Sequence, residues 1–309
     1  MELIRELDQI DPRFKDGVLS VGVFDGVHVG HRRVLGRAVE MARAAGMAPV
    51  VFTFHPHPLA VLRPREAPPL IQTFGQKLDM MREMGIAAVV WPRESAAILA
   101  MPPQEFFEKI VCEALAARAI VEGGDFRFGS GAGGGRQLLE TLAGARGIEV
   151  EFVGEILVDG QRVSSTRIRR LIAAGSVAEA ARCLGRPYRY QGTVVEGHHR
   201  GARLGYPTIN VESPRFLAPA EGVYAGCAIV LGRSYPAAVS VGRAPTFYAE
   251  HPVVVEAFLL DFEGELYGEQ VALDFVEYLR PQQAYPDAEA LKAQMAADCE
   301  RVRAITSNM

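Results

Sequence analysis

The sequence predicts an α/β domain built on a parallel sheet, followed by an antiparallel β-barrel domain with a C-terminal helix. Three observations carry this expectation. An apolar run, Val18 to Phe24, precedes a helical pattern and a second apolar run, Val50 to Phe54, so the two strands of this unit should lie parallel. At Arg186-Pro187 helical periodicity gives way to alternation, in segments such as TVVEG, GVYAGCAIV and VVVEAFLLDF. The 309 residues fit two domains at roughly 150 residues each. We therefore expect one domain over residues 1–186 and a second over 187–309.

Val18 to Phe24 reads as a fully buried strand because no polar residue but Ser20 interrupts it. Asp25-Gly26 breaks the run, and His28, Gly30 and His31 follow before the helix begins. Val34, Leu35, Ala38, Met41, Ala42 and Ala45 share one helical face, and Gly46 is the stop. In Phe54-His55-Pro56-His57-Pro58 the alternating prolines favour an extended chain, which would point His55 and His57 the same way. A third ligand is missing there, so the segment reads as a loop rather than a metal site. Gln76 to Met84 is a short helix ending at Gly85, and Ile86 to Trp91 a third strand.

Pro102-Pro103 opens a helix to about Ala117, with Phe106, Ile110 and Leu115 on its apolar face. Ala119 to Val121 is a fourth strand and runs into Gly123-Gly124-Asp125-Phe126-Arg127-Phe128-Gly129. The following GSGAGGGR is too glycine-rich to hold one shape alone, and reads as a lid or a flexible loop. A helix (Gln137 to Ala145) and a strand (Ile148 to Ile156) come next. Ser164-Ser165-Thr166-Arg167-Ile168-Arg169 opens a helix that stops at Gly175, and Ser176 to Glu179 is a capping-box pattern for another, ending near Leu184-Gly185. Beyond 187, strands at short spacing, separated by turn signals such as Glu263-Gly264, indicate a barrel or sandwich, and Ala288 to about Ile305 is the closing helix.

Composition narrows the function classes. Hydrophobic content of 49% and charged content of 23% are those of an ordinary globular chain. A net charge of −4 and the lack of a Lys/Arg run argue against nonspecific nucleic-acid binding. No apolar segment is long enough to span a bilayer, and MELIRELDQIDPRF has no signal-peptide core. Cys112, Cys183, Cys227 and Cys299 form no C-x-x-C pair and read as reduced, structural thiols of a cytoplasmic protein. We expect a monomer or weak homo-oligomer that acts on small molecules, with no nucleic-acid or membrane partner.

The chemistry should gather where the first strand meets its helix. A helix N-terminus presents unpaired N–H groups and the positive end of its dipole, which suits phosphate. Gly26 and Gly30 let a ligand approach the backbone, and two imidazoles there could bond phosphate oxygens as charge moves from nucleophile to leaving group. This H-x-G-H motif resembles the signature of nucleotidylyltransferases, which transfer AMP or CMP and release pyrophosphate. The arginines that follow Ser164 and Thr166 would suit a triphosphate through bidentate contacts.

Taken together, GVFDGVHVGH, TFHPHP, GGDFRFG and SSTRIR in the first half resemble the prokaryotic bifunctional riboflavin kinase/FAD synthetases. In the second half the resemblance rests on LGRPY, GHHRGARLGYPTIN, GVYA, VGRAPTF, VVVEAFLLDF, LYG and LR, so it covers nearly the whole chain. It implies a Rossmann-like nucleotidylyltransferase domain that adenylylates FMN to FAD, and a kinase domain that phosphorylates riboflavin to FMN with MgATP. Carried over residue by residue, His28 and His31 would contact ATP phosphates, with Ser164, Ser165, Thr166 and Arg167 closing the same site. Gly22, Phe24, Gly26 and Gly30 would line the nucleotide, as would Gly201 and Gly205 in the kinase. Asp125, Phe126 and Phe128 would face the flavin. Thr208 and Asn210 would hold Mg²⁺ and phosphate, and Glu256 would be the general base. The family usually has Asp at the place of His55, Glu-Lys at Gln76-Lys77, and a small residue at Ile209. An adenylyltransferase with an impaired kinase, a weakly catalytic flavin-binding regulator, and a nucleotidylyltransferase for another phosphate ester are the alternatives.

Overall fold

The computed structural model describes residues 1–197, 205–213, 216–243 and 253–307. The first compact unit comprises residues 1–68 and 74–163. Its strands are β1 (Glu2–Ile4), β2 (Val18–Val21), β3 (Pro49–Phe52), β4 (Ala88–Val90), β5 (Ala119–Gly123) and β6 (Glu149–Val153). They form one sheet in the order β1-β4-β3-β2-β5-β6, and every pairing is parallel. Helices α1 (Val29–Ala45), α2 (Pro58–Leu62), α3 (Phe74–Glu83), α4 (Ser95–Ala100), α5 (Pro103–Phe106) and α6 (Arg136–Arg146) connect them. Alternate residues of the central strands point to opposite faces, so the sheet is buried on both sides. Val18, Ala119 and Val121 pack against Val34, Ala38 and Ala42 of α1 on one face. Leu19, Val21 and Ile120 pack with Phe106, Phe107 and Ile110 on the other.

The differences from expectation have local causes. Strand β2 stops at Val21 rather than Phe24, because the chain turns into left-handed backbone at Phe24, Gly26 and Val27. The helix after Pro102 continues from α5 as a π-helix over Phe107–Ala114. The His55 ring stacks on Phe74, whereas His57 caps α2 by accepting the Leu59 N–H. Gly46 ends α1 in the left-handed conformation, as expected. The hairpin β7 (Leu157–Val158) and β8 (Gln161–Arg162) completes this unit.

The second compact unit takes residues 164–309 together with 69–73. It holds α7 (Ser165–Ala173), α8 (Val177–Leu184), and a closed antiparallel barrel. The barrel strands are β9 (Tyr188–Val195), β10 (Thr208–Glu212), β11 (Gly222–Val230), β12 (Arg233–Arg243), β13 (Val253–Leu259) and β14 (Gln270–Arg280). Around the barrel they run β10-β13-β12-β11-β14-β9. Helix α9 (Ala288–Thr306) packs on β11, β12 and β14. The change of periodicity at Arg186-Pro187 and the division by packing do not coincide, because α8 packs on β14 and β9. The segment 69–73 is tied in by a Leu70–Phe216 bridge, by Arg169 donating to the Pro69 carbonyl, and by Arg186 donating to Gln72. Ser176 precedes α8 but makes no side-chain cap bond, so the expected capping box is not formed.

Candidate active sites

The turn between β2 and α1 is strained. Phe24 has φ of 50° and Val27 φ of 34°, which side chains of their size rarely adopt, at about 1–3 kcal/mol each. Burial offsets this: both side chains lie in a cluster with Leu35, Val51, Leu78, Met81, Ile86 and Val89. The Val23 carbonyl leaves the sheet and accepts the Lys77 ammonium at 2.6 Å and the Thr53 hydroxyl at 3.4 Å.

His28 is the N-cap of α1, its Nδ1 accepting the backbone N–H of His31 at 3.2 Å. That bond places the proton of the neutral His28 ring on Nε2. The His28 and His31 rings stack with centroids 3.6 Å apart and 15° between planes, and Phe24 meets His31 edge-on at 5.3 Å. Gly30 leaves room for this stack, since a Cβ there would lie 3.2 Å from the His28 ring. Burial, then the neighbouring His28 and Lys77, push His31 well below the usual imidazole range. Its Nδ1 is buried and has no hydrogen-bond partner among the described residues. Of the four residues expected to line the nucleotide, Phe24 and Gly30 lie against the histidines, Gly26 turns the chain with φ of 89°, and Gly22 still donates to the Phe52 carbonyl at 3.0 Å.

The strand order reverses between β2 and β5, the crevice where α/β sheets bind ligands. Pairing of these strands ends at Leu19–Ile120, and the Val21 N–H instead meets the Glu122 carboxyl at 2.5 Å. Burial raises Glu122 well above the ordinary carboxyl range. The loop beyond carries the flavin candidates. Asp125 is ion-paired with Arg162, which also meets Glu155 at 3.2 Å. The Phe126 and Phe128 rings stack at 5.6 Å, with Phe128 buried near Phe106. Part of the glycine-rich stretch packs back on this loop: Gly134 bridges Phe128, and a Cβ at Gly134 would sit 2.6 Å from that ring.

In the second unit Ser164 caps α7, its Oγ accepting the Arg167 N–H at 3.2 Å. Ser165 and Arg167 are half-buried and Thr166 is exposed. On the barrel, the register places Asn210 opposite Glu256, Glu256 opposite Ser240, and Thr208 opposite Phe258. Val211, Val255 and Ala257 point into the core, so Thr208, Asn210 and Glu256 share the other face. Gly197 lies against Asn210, where a Cβ would be 1.9 Å from the amide nitrogen. Gly205 adopts φ of 86°, and Gly201 lies outside the described residues. Gln282, which the sequence reading passed over, donates to Ser240 at 2.8 Å and extends this polar row.

Two family models divide the chain: residues 11–167 match FAD synthetase, and residues 184–306 match riboflavin kinase. A bifunctional riboflavin kinase/FMN adenylyltransferase of Pseudomonas fluorescens is 33% identical over 99% of this chain and 98% of its own length. The chain belongs to the bifunctional riboflavin kinase/FMN adenylyltransferase family. An Escherichia coli K12 enzyme of the same name is 32% identical over 96% of each chain. A solved structure from Streptococcus pneumoniae, described as a macrolide-efflux protein, has a TM-score of 0.86 at 30% identity and covers 97% of this chain and 98% of that one. No helix among the described residues of this family member is long and apolar enough to cross a membrane. Its two activities are phosphorylation of riboflavin to FMN and adenylylation of FMN to FAD, with ATP as the donor.

Proposed function

We propose that the two activities use separate residue sets, with residues 1–186 serving adenylyl transfer and 187–309 the kinase. The stacked His28–His31 pair at the start of α1 carries the first assignment. An FMN phosphate oxygen attacks the α-phosphorus of ATP, and pyrophosphate leaves. Both histidines bond phosphate oxygens, stabilising charge as it passes to the leaving group. The start of α7 offers the Ser165 and Thr166 hydroxyls and the Arg167 guanidinium, groups suited to a triphosphate. Asp125 and Phe126 supply a carboxylate and an aromatic ring for the flavin, with Phe128 stacked behind Phe126 from the core.

In the kinase, Glu256 takes the proton of the ribityl 5′-hydroxyl as its oxygen attacks the γ-phosphorus. Thr208 and Asn210 offer a hydroxyl and an amide oxygen on the same face, the hard donors that Mg²⁺ takes together with phosphate oxygens and water. When bound, Mg²⁺ would neutralise charge on the transferred phosphoryl group. The free state of all four cysteines supports a cytoplasmic setting, in which we place a monomer or weak homo-oligomer.

The test incubates the enzyme with riboflavin, ATP and Mg²⁺ and separates the flavins by chromatography. FMN should appear first and FAD after it, and both should fail to form when Mg²⁺ is chelated. FAD made from added FMN, with none of either product from riboflavin, would remove the kinase assignment.

A further inference from the structure

We propose that Lys77 is a positioning residue for adenylyl transfer: its ammonium clamps the Val23 carbonyl and so holds the turn that presents His28 and His31. This rests on the histidine assignment above and deepens it. Lysine is rarely buried without a purpose, because taking an ammonium out of water is costly. Lys77 is 6% exposed and lies on α3 beside the core residues Leu78 and Met81. A methionine would fill the same space without that cost, so packing alone does not account for the amine.

The amine's partner is the carbonyl at the point where the chain leaves β2. Gly22 still bonds to β3, through the Phe52 carbonyl, but the Val23 carbonyl has turned away to Lys77 at 2.6 Å and Thr53 at 3.4 Å. The next residue, Phe24, already has φ of 50°, and Val27 follows with φ of 34°. A buried carbonyl must be bonded, and a charged donor bonds it more strongly than the distant hydroxyl. The ammonium thus adds a charged bond to the burial of Phe24 and Val27 in holding this turn against relaxation toward ordinary backbone. The His28 cap and the 3.6 Å ring stack depend directly on that turn. The same ammonium helps push His31 below its usual range, while burial lowers Lys77 itself to about 8 against the opposing pull of Asp25. Lys77 acts through the histidines and need not touch substrate.

The test compares full-length Lys77→Met, Lys77→Arg, His31→Ala and the Lys77→Met/His31→Ala double variant. It measures kcat and KM for FAD formation from FMN, riboflavin kinase activity and helical circular dichroism on each sample. Displacement of reacting groups by about 1 Å can cost about 10²-fold, so Lys77→Met should lower kcat about 10- to 100-fold. The KM for ATP should stay within about threefold and kinase activity should be unchanged. Lys77→Arg should recover part of kcat, because a guanidinium can donate to the same carbonyl. Added to His31→Ala, Lys77→Met should cost less than about threefold more, since both remove one function. An unchanged kcat in Lys77→Met, fully multiplicative losses, an arginine no better than methionine, or unfolding of the first unit would each overturn the proposal. If His31→Ala itself leaves FAD formation intact, the histidine assignment fails; if it abolishes FAD formation while Lys77→Met is silent, only the lysine proposal fails.

Discussion

His28 spends one ring nitrogen on capping α1 while its ring stacks on His31. The H-x-G-H spacing made both histidines legible as a pair at a helix start, and the structure adds that one of them builds that start. His57 likewise caps a helix, which its proline-flanked sequence did not reveal because a cap depends on where the following helix begins. Glu122 was not legible at all. The strand reading stopped at Val121, and no spacing rule tells that the Val21 N–H lacks a partner on β5. This carboxyl yields a signed prediction. In the unfolded chain it titrates near 4.5, whereas burial raises it well above that in the folded one. Below both values the states bind equal protons; as pH rises between them the unfolded chain ionises first, so folding stability falls. Glu122→Gln does not titrate and keeps an acceptor for Val21. Its thermal midpoint should exceed the parent's at pH 7, with the gap closing toward pH 4; a parent protein that is more stable at pH 7 would contradict this.

Elements with strong periodicity or clear stops were legible, α1 and α9 among them. The short ones were not. β1 has three residues and becomes a strand only by pairing with β4, and α2 and α4 are too short to show a helical period. The glycine-rich loop has a packing role that composition does not show: glycine reports freedom in isolation, while the Phe128 ring fills the space that a Gly134 side chain would need. α9 shows how one element is fixed to the barrel. Arg280 on β14 forks onto Asp298 of α9 at 3.0 and 2.7 Å, and Gln294 donates to the same carboxylate at 3.0 Å. The two ion-pair side chains are only 15% and 4% exposed, so Asp298→Ala strands a buried guanidinium at about 3–5 kcal/mol. Heat inactivation of the kinase should come at a clearly lower temperature in that variant. An unshifted inactivation temperature would show that α9 is held by its apolar contacts with Val223, Leu260 and Leu279 alone.

At the scale of the molecule, the parallel sheet, the antiparallel barrel and the closing helix were legible because each has its own hydrophobic period. The packing division was less so. Residues 164–186 have helical periodicity, which the sequence reading assigned to the first half, yet α8 packs on β14. Only the partner face distinguishes the two placements, and periodicity does not name a partner. The kinase face was legible only through the family resemblance: Thr208, Asn210 and Glu256 are ordinary strand residues until register brings Asn210 opposite Glu256. The central claim is that two activities run on two residue sets in one chain. Full-length His31→Ala and Glu256→Gln, each followed by flavin chromatography from riboflavin and separately from FMN, address it most directly. His31→Ala should accumulate FMN while FAD formation falls about 10²–10³-fold. Glu256→Gln should lose about 10²–10⁴ in FMN formation yet convert added FMN to FAD at the parent rate. A fall of both activities in either folded variant would contradict the account.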